Sequence, residues 1–307
     1  MAANALTRAA ADAARKLGAI FGFRPRPKVW SIGIYAGASP LNLASAEGAR
    51  NPVLAAADVT DLRAAFVADP FIIRDGATWH VFFEAMDADA RRGVVARAES
   101  ADGLAWTYRG VALAEPFHLS YPFVFRHGGE IYMTCESPRG GVRLYRAERF
   151  PDRWTRAATL VTGRLADPTL FEHEGRWWMF AGKGNAALRL FVADRPEGPW
   201  REHPKSPLIA RDKRAARPAG RVALVDGRLV RFAQDCVPTY GAAVRAFEIT
   251  RLTPDDYAEH PLSPDPILSG SGSGWNASGM HHLDAHPLSD GRWLAAVDGF
   301  RRRDDAE

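Results

Sequence analysis

A proline inside a short apolar run returns at nearly constant spacing along this chain, and that repeat constrains the fold more than any other feature. Four segments open alike: Ala68-Asp69-Pro70-Phe71, Ser120-Tyr121-Pro122-Phe123, Ala166-Asp167-Pro168-Thr169 and Ala216-Arg217-Pro218-Ala219, with the prolines 52, 46 and 50 residues apart. A weaker fifth opening, Asp284-Ala285-His286-Pro287, follows 69 residues later, after a Gly/Ser-rich insertion at 269–274. Each opening leads through apolar residues and a glycine turn to an aromatic-rich run such as Trp79 to Phe83 or Trp177 to Phe180, which is the pattern of a hairpin. A third strand follows in four of the units, and a turn then carries Trp106, Trp154, Trp200 or Tyr257 into a fourth. Four strands per unit at a period near fifty predict β-propeller blades, five of them.

The fifth unit has only the charged tail 301–307 after Phe300, too short to supply its missing strands. The run Val29 to Tyr35 is expected to pair into that last blade, joining the chain ends and removing exposed edges. The expected organisation is a basic N-terminal segment 1–28, an all-β five-bladed propeller over 29–300, and a charged tail 301–307. In the first segment Leu6, Ala10, Ala13, Leu17 and Ile20 or Phe21 recur at helical spacing before Pro25 and Pro27, predicting a short amphipathic helix.

Charge decides which partners to consider. Residues 1–28 hold a net charge of +5, so the remainder sums to −1 of the overall +4, and no basic face for nucleic acid is expected on the body. The terminal helix could instead touch an anionic membrane surface or simply fray. No apolar stretch approaches the roughly 18 residues of a membrane span, and no secretory block opens the chain, so a cytoplasmic and at most membrane-peripheral location is expected. Cys135 and Cys236 have no partner at metal-motif spacing and read as reduced and structural.

Innermost strands line a propeller's central channel, so the start of the first strand and the end of the second in each blade are the candidate ligand positions. The first set is Asp69, Tyr121, Asp167, Arg217 and either Asp284 or His286. The second, seven or eight residues past each hairpin glycine, is Glu84, Glu136, Gly182 or Lys183, Gln234 or Asp235, and Asp298. Carboxylates crowded into one place cannot all ionise cheaply, and an acid beside a base is what glycoside cleavage needs. Asp-Pro is equally a turn opener whose carboxylate caps backbone amides. Lys183 and Arg217 either neutralise the carboxylates or hold an anionic ligand group.

On a strand, His282, Asp284 and His286 share one face, and two histidines with an aspartate could hold a single divalent cation in the channel, although no cofactor is required by this reading. Trp106, Trp154 and Trp200 repeat with the blades and read as packing, whereas Trp275, in the insertion, is the tryptophan expected to touch a ligand.

With that pattern in hand, the chain resembles the five-bladed furanosidases of glycoside hydrolase families 43 and 32. Asp69-Pro70 and Asp167-Pro168 resemble their first- and third-blade aspartates, which implies a base or nucleophile at Asp69 and a transition-state stabiliser at Asp167. The Ser100-Ala101-Asp102-Gly103-Leu104-Ala105-Trp106 turn is similar to theirs, and their central fifth-blade histidine, which contacts calcium or water, implies a counterpart in His281 or His282. Their fourth-blade glutamate acid is replaced here by Arg217-Pro218, leaving Glu136 or Asp235 to supply the proton. A closer resemblance runs from Trp30 onward: Trp30-Ser31-Ile32-Gly33-Ile34-Tyr35, Glu115-Pro116-Phe117-His118-Leu119-Ser120-Tyr121-Pro122, His203-Pro204-Lys205-Ser206-Pro207 and Gly272-Ser273-Gly274-Trp275-Asn276 look like the N-terminal domain family of glucosamine inositolphosphorylceramide transferases. In the plant enzymes this propeller precedes a glycosyltransferase domain, so the resemblance implies a glycan or glycoconjugate ligand and a partner glycosyltransferase.

The expected function is thus a glycosidase or transglycosidase with Asp69 as base or nucleophile, Asp167 as orienting carboxylate and Glu136 as acid. The alternatives are a non-catalytic module that recognises a sugar or sugar phosphate, and a protein-interaction propeller with its binding surface on the rim.

Overall fold

The computed structural model describes residues 27–303 apart from 139 and shows an all-β five-bladed propeller. The N-terminal helix expected from the sequence lies outside the described residues. Among the described residues the helical structure is two single turns, Ala56–Asp58 and Gly274–Asn276, and no helix is long and apolar enough to cross a membrane.

Blade one is Ala64–Asp75, Thr78–Asp87, Arg92–Ser100 and Thr107–Leu113, and blade two is Ser120–His127, Glu130–Glu136, Val142–Arg149 and Arg153–Val161, each an antiparallel meander running outward from the axis. Blade three runs Ala166–His173, Arg176–Gly182 and Ala187–Ala193, with an outer edge broken into Arg201–Glu202 and Ile209–Ala210. Blade four has a broken innermost strand, Arg217–Pro218 and Ala223–Val225, against Arg228–Asp235 and Ala243–Leu252. Blade five takes Gly279–Pro287 and Trp293–Arg302 from the end of the chain and Lys28–Ser39 and Asn42–Ser45 from its start. The closing pairing is in register from Lys28↔Arg302 to Gly37↔Trp293, so the ring is closed by ten consecutive residue pairs. The strand from the start of the chain thereby covers the edge that Trp293–Arg302 would otherwise expose.

The tryptophans that repeat with the blades close turns and pack. The indoles of Trp106, Trp154 and Trp200 donate to the carbonyls of Gly103, Pro151 and Pro196 at 3.0 to 3.1 Å, and their rings pack against the apolar layers between blades. Cys135 and Cys236 are buried free thiols.

The first three openings share a backbone device. Asp69, Tyr121 and Asp167 have φ of 54, 51 and 51°, the left-handed region, and each sits in a bulge where the pairing skips from Ala68↔Glu84 to Phe71↔Phe82, or the equivalent in its blade. Blade four differs: Arg217 pairs directly with Gln234, and the irregularity moves down to Gly220 at φ 123°. A Cβ there would stand 1.8 Å from the Leu283 carbonyl, so only glycine fits.

The fifth opening is not where the prolines place it. The skip of blade one recurs at Gly279↔Phe300 to His282↔Asp298, so the opening is Gly279-Met280-His281-His282, and Asp284 to Pro287 lie farther along the same strand. This moves Asp284 and His286 from the ligand end into the shaft. Asp284 accepts from the Ile72 amide at 2.7 Å, Arg221 Nε at 2.8 Å and His286 Nε2 at 3.0 Å, while Arg221 also reaches the Val124 carbonyl at 2.8 Å. Tyr121, another expected ligand residue, turns its hydroxyl into the same layer, 2.7 Å from both Thr169 Oγ1 and the Gly220 amide. His282 Nε2 bonds the Pro70 carbonyl at 2.9 Å, and the Leu283 amide bonds Ala219 at 2.8 Å. All five blades contribute to this buried, hydrogen-bonded layer beneath the openings. Tyr121→Phe is expected to leave the Gly220 amide unpaired and cost about 1–3 kcal/mol in chemical denaturation; an unchanged midpoint would show that this layer does not hold the blades.

Candidate functional site

The left-handed openings aim backbone amides at carboxylates. The Asp69 amide donates to Asp298 Oδ2 at 2.9 Å, the Tyr121 amide to Asp69 Oδ2 at 3.2 Å, and the Asp167 amide to Glu136 Oε2 at 3.2 Å. Each opening thus holds a carboxylate of the blade before it, and of the two opening aspartates only Asp69 caps a backbone amide with its side chain, that of Tyr121.

Arg217 enters this ring from blade four. Its Nε lies 2.5 Å from Asp167 Oδ2, its Nη2 3.2 Å from both Asp167 Oδ1 and Glu136 Oε2, and its Nη1 3.0 Å from Asn185 Oδ1. Gln234 Nε2 adds a bond to Asp167 Oδ2 at 2.7 Å. Across the funnel His281 Nδ1 donates to Asp298 Oδ1 at 2.7 Å, with its Nε2 3.6 Å from Asp69 Oδ1 and its ring stacked on Trp30. Tyr240 stands against both groups, its ring 5.1 Å from the Arg217 guanidinium carbon and 5.2 Å from the His281 ring.

Sharing one buried space sets these carboxyls apart from one another. Burial pushes Asp69 up to about 7, with the charges of Asp167 and Asp298 adding to the rise and His281 opposing it. Burial and the Asp167 charge push Glu136 up to about 8 against the pull of Arg217. Glu84 is likewise raised well above the usual range, by burial first and then by Asp69 and Glu136. Asp298 goes the other way: burial is outweighed by the charge and hydrogen bond of His281, which is itself held above the ordinary imidazole value by Asp298. Protonated and ionised carboxyls therefore stand side by side at neutral pH, which is the electrostatic condition for acid and base roles in one site.

The structure brings together Asp69, Glu84, Glu136, Asp167, Arg217, Gln234, His281 and Asp298 from the residues expected. Others lie elsewhere. Lys183 is exposed on the loop after the second strand of blade three. Asp235 is buried in a separate ion pair with Arg214 and Arg245, both at 2.8 to 2.9 Å. The Trp275 ring packs against Gly33 and Gly299, on the sheet face opposite Asp298, where it lines a pocket of about 570 Å³ with Val29, Pro52 and Arg301. His282 and His286 do not converge on a cation: one bonds Pro70, the other Asp284. Among the described residues, the group with metal-compatible spacing is Asp69, His281 and Asp298, whose ligand atoms, a mixed oxygen and nitrogen set, lie within 4.8 Å of one another. Tyr240, Asn185 and His118 reach the site from loops with no place in the repeat, so only the fold could reveal them.

A family model described as glucosamine inositolphosphorylceramide transferase 1, N-terminal, matches residues 26–300. The glucosamine inositolphosphorylceramide transferase 1 of Oryza sativa subsp. japonica is 39% identical over 297 residues, and that of Arabidopsis thaliana 38% over 299. The match takes in 89% of this chain but 40% and 39% of those proteins, so the chain spans about two fifths of the length of its curated relatives. Among solved structures, the catalytic domain of a Coprinopsis cinerea family 62 α-L-arabinofuranosidase superposes with a TM-score of 0.59 at 14% identity, covering 90% of this chain and 98% of that one. Zg3597, a family 117 glycoside hydrolase of Zobellia galactanivorans, gives 0.53 at 15%, covering 79% and 88%. These two likenesses are of fold.

The raised carboxyls predict a pH dependence of stability. In the unfolded chain Asp69 and Glu136 lose their protons near 3.8 and 4.5, whereas the folded funnel keeps them to about 7 and 8. The folded state binds more protons across that window, so their contribution is complete below pH 4 and is lost as the pH rises through 7 to 8. Denaturation midpoints are expected to fall between pH 5 and 9, with a shallower fall in Glu136→Gln; a midpoint rising over that interval would contradict the assignment.

Proposed function

Because the chain belongs to the glucosamine inositolphosphorylceramide transferase 1 N-terminal family, we propose that its funnel engages one glycosyl unit of a glycoconjugate and acts on the glycosidic bond by hydrolysis or transfer. The observation that carries this reading is the buried ring of carboxyls from several blades, in which burial and neighbouring charges raise Asp69 and Glu136 while His281 lowers Asp298. Asp69, poised near neutrality, is the base or nucleophile. Asp167, held by Arg217 and Gln234, is the orienting carboxylate. Glu136 carries a proton as an acid must, but its Oε2 already takes Arg217 and the Asp167 amide, which suits it to gripping a sugar hydroxyl beside that guanidinium. On this reading the chain works in the cytoplasm beside a separate glycosyltransferase, its basic N-terminal segment against an anionic membrane surface.

A second reading has one observation in its favour: Arg217 occupies two carboxylates at once, the arrangement of a site that holds a sugar or sugar phosphate without cleaving it. A panel of nitrophenyl glycosides, furanosides included, separates the two. Asparagine tolerates the left-handed backbone of residue 69, so Asp69→Asn keeps the opening intact. Wild-type turnover, falling by about 100-fold or more in Asp69→Asn with sugar binding retained, is the expected result. A wild type that turns over none of the panel yet binds sugar in calorimetry would establish the recognition module instead.

A further inference from the structure

Asp69, Glu136, Asp167 and Asp298 all accept hydrogen bonds from protein groups. Glu84 is different. Its side chain is 7% exposed, and Oε1 is buried without a hydrogen-bond partner. An unpaired buried carboxyl is expensive as a charge and persists in native structures where function needs it.

One side chain faces that oxygen in a telling way. His118 Nε2 stands 3.5 Å from Glu84 Oε1, on the loop leading into blade two, and the imidazole is 32% exposed. Its Nδ1 accepts the Gly93 amide at 2.8 Å, so the neutral ring carries its hydrogen on Nε2, toward Glu84. Gly93 makes room for the pair: a Cβ there would lie 2.6 Å from Glu84 Oε1 and 2.9 Å from His118 Cε1. The result is a buried carboxyl at the funnel, backed by an imidazole that touches solvent. The charges around Glu84 come from Asp69 of its own blade and from Glu136, Asp167 and Asp298 of blades two, three and five, and all of them favour a retained proton.

We propose that Glu84 delivers the proton to the oxygen leaving the glycosyl unit, and that the Nε2–H of His118 steadies the carboxylate left behind until solvent reprotonates it; this rests on reading the funnel as a site of glycosyl hydrolysis or transfer. The glycosidic C–O bond breaks with its electron pair passing to the leaving oxygen, which takes the Glu84 proton. The new C–O bond forms from water or an acceptor hydroxyl, whose proton passes to Asp69. Bulk water then returns a proton to Glu84, and Asp69 releases its own to bulk water.

The test compares methyl and dinitrophenyl glycosides of the sugar that the wild type turns over, using Glu84→Gln, Glu136→Gln and His118→Asn. A dinitrophenolate leaves without protonation, so Glu84→Gln is expected to lose about 100-fold or more on the methyl glycoside but less than about tenfold on the dinitrophenyl one. The basic limb of its pH–rate profile should vanish. His118→Asn, on a partly exposed loop side chain, should slow the methyl glycoside about tenfold and shift that limb, and it decides the matter if Glu84→Gln fails to fold. Equal losses on both substrates, or the leaving-group dependence appearing in Glu136→Gln in place of Glu84→Gln, would overturn the assignment while leaving the site an enzyme. A wild type silent on every glycoside would overturn the enzymatic reading and this proposal with it.

Discussion

A backbone amide has to point into the funnel before a carboxylate can be held there, and the left-handed openings supply that amide. At Asp69, Tyr121 and Asp167 the positive φ rotates the peptide out of the ladder, and the following proline has no amide of its own to leave unpaired. The freed amide meets the carboxylate of the preceding blade, so each blade fixes its neighbour's side chain as well as its own. Remove that device and the carboxylates would have neither a common direction nor a reason to stay buried.

Electrostatics then divides the labour among similar groups. Asp298 keeps its charge because His281 shares it, while Glu84, Glu136 and Asp69 are pushed toward their neutral forms by burial and by one another. Arg217 offsets part of the crowding, binding Asp167 and Glu136 together at the one opening where blade four breaks the repeat. In the buried layer beneath, Arg221 and Asp284 are paired at 2.8 Å.

The repeat made the five blades and the closing strand legible, because hairpin turns and aromatic runs recur wherever a blade must pack on the next. Register was legible only where a proline marks it. Blade five opens with Met280-His281-His282, which has no proline, so Pro287 drew the expected opening too far along and placed Asp284 and His286 at the ligand end. Spacing also gives a residue's position but not its direction after a bulge: Tyr121 stands at an opening, yet its hydroxyl runs down to Gly220. Asp235 sits one residue past Gln234 and therefore faces away, toward Arg214 and Arg245. Glu84 was visible as a funnel position, whereas its unpaired oxygen depends on a loop histidine that belongs to no repeat.

One buried ring is expected to hold protonated and ionised carboxyls together at neutral pH. Neutron diffraction from crystals grown near pH 7 would locate the deuterons directly. Deuterons are expected on Glu84 and Glu136 and none on Asp298, with His281 carrying one on the nitrogen that faces it. Nuclear density showing both glutamates bare would contradict this expectation.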